Sequence, residues 1–382
     1  INEIINNDIH YEISEKNKKN EEEILYDKLI KIETQEIKDI EKRELKIISL
    51  GEEKTKKIFS IGQIEKENFE YFEEFDNVKQ LENKKGLFFN ANNANLNLNL
   101  NFSMKNYFND IVKSTKVIDY YSNGTFGHFI FSSLTPENSN EKKPLIYFIH
   151  GGPNGNVSKQ FLLYNSLFLA NGYNILVVNY PGSSGYGQEY LNSLNGKIGE
   201  LDVESCGEYL TNFLEENKEK FNLDEKNVVA FGGSHGGFLG AWMVCHEKYN
   251  KFFSSAILRN PVIDLNANMA TTDIPDWVLG FAVDKDIDFN FPPGEDVYRD
   301  FYKKSPIFSV KNATTPTLIN LGLKDLRVNY FNGLYFYKAL KVNNCVAKLT
   351  MHPEDNHPLA SDETDVDIKF NGFYWIKENL RK

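Results

Sequence analysis

A serine stands between glycines in residues 232–237, which read GGSHGG. The Gly-x-Ser-x-Gly spacing is typical of a nucleophile elbow, a sharp turn from a strand into a helix that holds the serine hydroxyl out above a sheet. The string alone is a weak signal, and a glycine-rich turn with an incidental serine is the alternative. Here an apolar run at 227–231 precedes it and a helical run at 238–246 follows it, so Ser234 is the candidate nucleophile.

An acid and a histidine follow Ser234 in the order that α/β-hydrolases use. Strand-like residues 317–321 lead into a loop that contains Asp325. Strand-like residues 347–351 lead into a loop that contains His357. Carboxyl ends of parallel strands meet at one edge of a sheet, where open α/β folds assemble their sites. We therefore predict a Ser234, Asp325, His357 triad, in which the imidazole takes the serine proton and the carboxylate orients the imidazole.

Other side chains near these positions are weaker candidates. His352 follows its strand too closely, and we expect it to be a packed or surface histidine. Glu354 and Asp355 share the loop of the predicted base, where an orienting acid is rarer, so Asp325 is preferred.

The tetrahedral intermediate of acyl transfer needs hydrogen-bond donors in place before its negative charge develops. The backbone N–H of His235, directly after the candidate nucleophile, is one predicted donor. Gly152 is the other, because residues 150–153 read HGGP and follow the apolar run 145–149, as in an HGG-type oxyanion loop. A tight turn from strand to loop is the alternative for that segment.

From about residue 117 onward, apolar runs alternate with helical patterns, which is typical of a parallel sheet flanked by helices. The predicted strands are 145–149, 174–179, 227–231, 254–258, 317–321 and 347–351. The predicted helices are 159–171, 203–217, 236–249, 330–343 and 365–380. The strands are apolar almost throughout, which indicates burial on both faces. We predict an α/β-hydrolase fold, with a mostly parallel, doubly wound sheet, over residues 111–382.

Residues 1–110 have a different character, with runs rich in Glu, Lys and Ile followed by an Asn/Leu tract at 90–101. We interpret the tract as a surface insertion. Strand-like pieces at 45–50, 57–61 and 86–90 suggest the remnant of a β domain. We expect a charged N-terminal segment separate from the hydrolase domain.

Composition narrows the classes of function. The chain of 382 residues has a formal net charge of −11, whereas a nucleic-acid-binding protein needs a basic face. Its apolar runs are far shorter than the ~20 residues of a membrane-spanning helix, so no membrane partner is expected. The three cysteines are widely spaced and fit neither a disulfide framework nor a zinc site, which favours a reducing, cytoplasmic compartment. No pattern calls for a metal ion or a cofactor.

Three segments, 150–153 (HGGP), 179–187 (NYPGSSGYG) and 232–237 (GGSHGG), resemble successive signatures of the prolyl oligopeptidase family of serine peptidases. Two more, 259–263 (RNPVI) and 272–277 (TDIPDW), are similar to the acylaminoacyl-peptidases within that family. The resemblance does not reach the N-terminal segment.

This resemblance implies release of an N-acylated, commonly acetylated, amino acid from the amino end of a short peptide. Such proteins usually carry a β-propeller ahead of the hydrolase domain, and the residues before Val117 are too few for a whole one. Either a propeller lies on an upstream segment or a separate chain, or this is a reduced form of the family. The start at Ile1 rather than Met suggests a fragment or a processed product. A homo-oligomer is a further expected assembly.

Residues 325–329 read DLRVN where the family often reads DRRVP. Arg327 matches the family arginine that hydrogen-bonds a substrate carbonyl near the scissile bond, a role that suits a permanently charged group with several donors. A surface arginine paired with an acid is the alternative. Pro181 is a second departure, since the family usually has arginine there.

Two other functions remain open. A serine esterase or thioesterase would use the same triad on another acyl group. A catalytically silent binding module could be built on the same fold, but the intact triad and both oxyanion elements disfavour it.

Overall fold

The computed structural model of the chain describes residues 110–111, 113–132, 142–159, 163–283 and 293–381. Of these residues, those within 114–360 and 372–381 group into one unit, and those within 110–113 and 361–371 fall in another. The strand-like pieces and the Asn/Leu tract of the N-terminal segment lie outside the described residues. The domain boundary after residue 110 stays a prediction.

The described residues form an eight-stranded sheet. Its strands are β1 (Thr115–Ser122), β2 (Thr125–Ser132), β3 (Lys143–Ile149), β4 (Asn174–Asn179), β5 (Leu223–Gly233), β6 (Phe253–Arg259), β7 (Thr317–Gly322) and β8 (Ala347–His352). They lie side by side in the order β1-β2-β4-β3-β5-β6-β7-β8. β2 pairs antiparallel with β1 and β4, and all other neighbours are parallel. The predicted fold class is confirmed.

Helices lie between these strands along the chain, and one follows the last strand. They are α1 (Leu163–Ala170), α2 (Gln188–Asn192), α3 (Leu201–Asn217), α4 (His235–Cys245), α5 (Leu265–Thr271), α6 (Pro275–Val283), α7 (Glu295–Lys303), α8 (Phe331–Val342) and α9 (Asp362–Asn379). Every residue of α4 is buried, and the helix packs on β5 and β6. A helix that is apolar on all sides has no solvent face, which places α4 in the centre of the domain.

The central strands are buried because the sheet is covered on both faces. All six residues of β4 and all six of β7 are buried, which agrees with their apolar sequences. Large aromatic side chains fill the space between strands and helices, and Tyr147, Tyr209, Phe213 and Phe238 are almost inaccessible to solvent. This packing holds the strand ends in fixed relative positions.

The β1–β2 hairpin was not among the predicted strands. Ser122 pairs with Thr125 across a two-residue turn at Asn123 and Gly124, whose φ angles are 47° and 79°. An Asn-Gly pair is the common choice for such a turn, because both residues tolerate positive φ. The short helices α2, α5, α6 and α7 were also missing from the prediction, since each is too brief for a clear helical period.

In the ranges that the structure describes, no helix has the length and apolar character needed to cross a membrane. Across the same residues, no three or more His, Cys, Asp or Glu side chains are grouped so as to hold a metal ion. Cys206, Cys245 and Cys345 are buried and form no disulfide.

Candidate active site

Ser234 lies in the turn between β5 and α4, where the sequence predicted an elbow. Its backbone has φ 58° and ψ −125°, a conformation that costs energy for any residue other than glycine. Its N–H donates to Arg259 O at 2.9 Å, and its carbonyl accepts from Phe238 N at 3.0 Å. These bonds hold the strained turn in place.

The glycines around Ser234 are required by close approach of the backbone. A Cβ on Gly232 would lie 2.3 Å from Gly236 O, and a Cβ on Gly236 would lie 2.1 Å from Ile149 O. Neither distance is compatible with a side chain. The Gly-x-Ser-x-Gly spacing therefore lets α4 begin directly against the end of β3.

Asp325 and His357 are brought together by the ends of β7 and β8. His357 Nδ1 lies 2.7 Å from Asp325 Oδ2. The other carboxylate oxygen of Asp325 accepts from Arg327 N at 2.8 Å and Val328 N at 2.9 Å, and the side chain is fully buried. Because a carboxylate only accepts, Nδ1 of His357 carries its proton and Nε2 is left to act as a base.

Arg259 and Asn260, just after β6, connect the serine turn to the histidine loop. Besides accepting from Ser234 N, Arg259 donates through Nη2 to Pro358 O at 2.8 Å. Asn260 Nδ2 donates to His357 O at 3.0 Å, and its Oδ1 accepts from Gly322 N at 2.9 Å. The Ser234 turn, the end of β7 and the His357 loop are therefore connected by one dipeptide.

These two positioning residues were not predicted as part of the site. Arg259 and Asn260 belong to the segment 259–263, which in the sequence shows only a family resemblance. The signal that could have found Asn260 is its residue type, because its φ of 40° is one that asparagine tolerates better than most residues.

The predicted oxyanion loop follows β3 and lies against Ser234. A Cβ on Gly151 would lie 3.2 Å from the Cβ of Ser234 and 3.0 Å from Gly233 O. Gly152 has φ 127°, and a Cβ there would lie 2.7 Å from the backbone N atoms of Asn154 and Gly155. Glycine is therefore needed at Gly152, and a side chain at Gly151 would be crowded against the Ser234 turn.

His150 supports this loop from behind. Its buried ring stacks on Tyr180 with centroids 4.4 Å apart, its Nδ1 bonds Gly151 O at 2.7 Å, and its Nε2 bonds Ser183 Oγ at 2.8 Å. Burial lowers the pKa of His150 to about 4, although the bond to Gly151 acts in the opposite direction. The ring is therefore neutral near pH 7. Tyr180 and Ser183 belong to the segment 179–187, which resembles a family signature.

The side chain of His235, as well as its backbone, has a defined position beside Ser234. The sequence suggested that this residue would lend its N–H rather than its ring, and its N–H is at the first position of α4. Its ring is fully buried, and Nε2 lies 2.8 Å from Asp202 Oδ2. Asp202 was not predicted, because no motif links it to the elbow.

Arg327 lies on the acid loop and pairs with Asp273. Its Nε is 2.6 Å from Asp273 Oδ1 and its Nη2 is 3.2 Å from Asp273 Oδ2. The hydrogen bond from Arg327 lowers the pKa of Asp273, and the same bond raises the pKa of Arg327. Both side chains are exposed, at 44% and 42%. Among the described residues, Arg327 Nη1 has no hydrogen-bond partner, so one edge of the guanidinium stays available.

The rejected candidates have other partners. His352 ends β8 and its Nε2 lies 3.2 Å from Thr350 Oγ1. Glu354 forms an ion pair with Lys324. Asp355 Oδ1 accepts from Ala360 N at 3.2 Å, within its own loop. The carboxylate that contacts His357 is that of Asp325.

Together these residues have the parts that acyl transfer requires. A hydroxyl stands on a sharp turn, an imidazole is oriented by a buried carboxylate, and a glycine loop and a helix start flank the serine. Such an arrangement has the groups that nucleophilic catalysis by a serine uses.

A family model described as the prolyl oligopeptidase family matches residues 160–382. The chain is 35% identical to the acylamino-acid-releasing enzyme of Mus musculus over 252 residues, which cover 65% of this chain and 33% of the relative. It is also 35% identical to the acylamino-acid-releasing enzyme of Arabidopsis thaliana over 250 residues, with 65% and 32% covered. The chain thus spans about a third of the length of these curated relatives.

Among solved structures, the chain is similar to an acylaminoacyl peptidase in complex with Z-Gly-Gly-Phe-chloromethyl ketone. The alignment has a TM-score of 0.61 at 22% identity and covers 70% of this chain and 42% of that chain. At this level of identity, the likeness concerns the fold.

The two histidines near the end of β8 make a matched pair for testing the base. We expect His357→Ala to lower kcat/KM for a p-nitrophenyl ester on the order of 10⁴-fold or more, because Ser234 loses the group that takes its proton. His352→Ala, the control, should change kcat/KM less than about twofold. Steady-state kinetics on the purified variants give both values, and the opposite ranking would assign the base to His352.

Proposed function

The chain belongs to the prolyl oligopeptidase family, and on that premise we propose that it is a serine exopeptidase that releases N-acylated, for example acetylated, amino acids from the amino end of short peptides. The observation that carries the proposal is the Asp325–His357 pair, which is tied through Arg259 and Asn260 to the turn that presents Ser234. The names of the relatives support the substrate class.

In the first half of the reaction, Ser234 Oγ attacks the carbonyl carbon of the acylated residue while His357 Nε2 takes the hydroxyl proton. Asp325 stabilises the imidazolium that forms through its bond to Nδ1. The negative charge on the former carbonyl oxygen is met by the N–H groups of Gly152 and His235. His357 then gives its proton to the departing amine, the peptide bond breaks, and an acyl-serine remains.

In the second half, water takes the place of the departed peptide. His357 Nε2 removes a proton from the water as the oxygen attacks the acyl carbon, and the same backbone donors meet the charge. The proton returns to Ser234 Oγ as the ester bond breaks, and the free N-acyl amino acid leaves.

Arg327 is the residue that we assign to recognition of the acylamino group. Its Nε and Nη2 are held by Asp273, which fixes the plane of the guanidinium and leaves Nη1 for a carbonyl oxygen. The two sequence interpretations of this residue, substrate ligand and paired surface arginine, are thereby compatible. A neutral acylamino carbonyl suits a group whose positive charge is already balanced by an acid.

The proposal also covers the binding partners of the chain and its cellular location. Short N-acylated peptides are the proposed substrates, and a propeller on an upstream segment or a separate chain would limit their size. A homo-oligomer is also proposed. A cytoplasmic location fits the free, buried cysteines, since disulfides are rare in reducing compartments.

A serine esterase or thioesterase is the alternative, because the triad cleaves any activated acyl group. Hydrolysis of acetyl-alanine p-nitroanilide beside p-nitrophenyl acetate by the unsubstituted chain separates the two. The exopeptidase proposal predicts turnover of both substrates. Turnover of the ester alone would reject the proposed peptide substrate and favour the esterase.

Arg327→Ala tests the recognition role. A charge-assisted hydrogen bond contributes roughly 1.5–3 kcal/mol, so kcat/KM for acetyl-alanine p-nitroanilide should fall about ten- to a hundredfold. The p-nitrophenyl ester has no acylamino carbonyl, and its hydrolysis should change much less.

The matched control is Arg299→Ala, which removes another exposed arginine in an ion pair, that with Glu295. It should leave both activities unchanged. Equal losses on amide and ester in Arg327→Ala would show that Arg327 supports the acid loop instead of the substrate.

A further inference from the structure

A hydrogen-bonded pair of side chains lies directly behind the nucleophile. His235 Nε2 is 2.8 Å from Asp202 Oδ2, and both side chains are fully buried. His235 follows Ser234 in the chain and is the first residue of α4, so its ring and a proposed oxyanion N–H belong to one residue. The hydrolytic steps described above make no use of Asp202.

Asp202 is held firmly at the start of α3. Its Oδ1 accepts from Gly199 N at 2.7 Å and from Val203 N at 2.9 Å. Gly199 has φ 79°, and a Cβ there would lie 2.2 Å from Lys304 O, so this turn accepts only glycine. Because His235 bonds the second oxygen, both oxygens of the carboxylate have hydrogen-bond donors. These bonds offset the free-energy cost of burying a carboxylate.

The ring of His235 is enclosed on its other sides. Its centroid lies 5.0 Å from the stacked ring of Phe238 and 5.7 Å from the ring of Trp277. Among the described residues, Nδ1 has no hydrogen-bond partner. A buried N–H without an acceptor is costly, so the ring proton belongs on Nε2, where Asp202 accepts it.

One aromatic ring links this residue to the other oxyanion element. Tyr180 packs 5.8 Å from His235 and stacks 4.4 Å from His150, the first residue of the HGG loop. Its hydroxyl also donates to His150 O at 2.9 Å. Tyr180 therefore packs against both His150 and His235, the residues that flank the proposed oxyanion position.

We propose that Asp202 is a positioning residue for the oxyanion hole, which fixes the His235 ring and thereby holds the backbone N–H of His235 where the negative charge develops. Preorganised donors act on the transition state more than on the bound substrate, so their placement governs kcat. This inference rests on the hydrolytic chemistry proposed for Ser234, and it applies whether the substrate is a peptide or an ester.

Asp202→Asn is the variant that tests the role with little change in volume. The amide oxygen can still accept from Gly199 N and Val203 N. The amide NH₂ group then faces the protonated Nε2 of His235, and two donors cannot bond each other. Either the His235 proton moves to Nδ1, which has no hydrogen-bond acceptor, or the His235 ring rotates away from Phe238 and Trp277.

We expect Asp202→Asn to lower kcat about ten- to a hundredfold for both acetyl-alanine p-nitroanilide and p-nitrophenyl acetate, with KM changed less than about threefold. Inhibition by N-acetyl-boroalanine, which forms a tetrahedral adduct with the serine, should weaken by a similar factor. Asp264→Asn is the control, because Asp264 accepts from Asn266 N and Ala267 N at the start of α5 without an imidazole partner. It should keep kcat and boronate affinity.

A merely structural role gives a different result. The variant would then melt at a lower temperature, with kcat per folded molecule and boronate affinity unchanged, and that outcome would overturn the proposal. A rise in KM with constant kcat would overturn it as well. If the unsubstituted chain cleaves only the ester, the exopeptidase function fails, and the kcat comparison is made on the ester.

A second measurement on the unsubstituted chain decides the matter if Asp202→Asn does not fold. Nitrogen NMR with ¹⁵N-labelled histidine should show His235 protonated at Nε2, with a signal that shifts when N-acetyl-boroalanine binds. The signal is assigned by its loss in His235→Gln. An unprotonated Nε2, or no response to the boronate, would reject the role of Asp202.

Discussion

The strained backbone of Ser234 is the constraint on which the rest of the site depends. A φ of 58° on a residue other than glycine persists only where neighbouring contacts hold it. Here Arg259 O binds the serine N–H, and the glycines on either side allow α4 to start against the end of β3. The turn that presents the hydroxyl therefore also brings the HGG loop and the first N–H of α4 beside it.

Much of this arrangement could be predicted because short, local sequence patterns determine it. The strand predicted at 174–179 has the observed bounds of β4, and the predicted acid and base lie after β7 and β8. Apolar runs identify buried strands, and a parallel sheet brings their carboxyl ends together. The roles assigned to Ser234, Asp325 and His357 follow from that order and remain predictions for experiment.

The unpredicted parts depend on contacts between distant segments. His235 and Asp202 are 33 residues apart, and their hydrogen bond is predicted neither by the helical period of α3 nor by the elbow motif. Arg327 and Asp273 are 54 residues apart, so the sequence could offer only two interpretations of the arginine. The β1–β2 hairpin is different, because its Asn-Gly turn is a local signal that could have been read.

The central claim is that Ser234 is the nucleophile of this site, and covalent labelling tests it most directly. The purified chain is treated with a fluorophosphonate, digested, and analysed by mass spectrometry. We predict one adduct, on the peptide that contains Ser234, and its loss in Ser234→Ala. Labelling of another serine, or an adduct that persists in Ser234→Ala, would contradict the account.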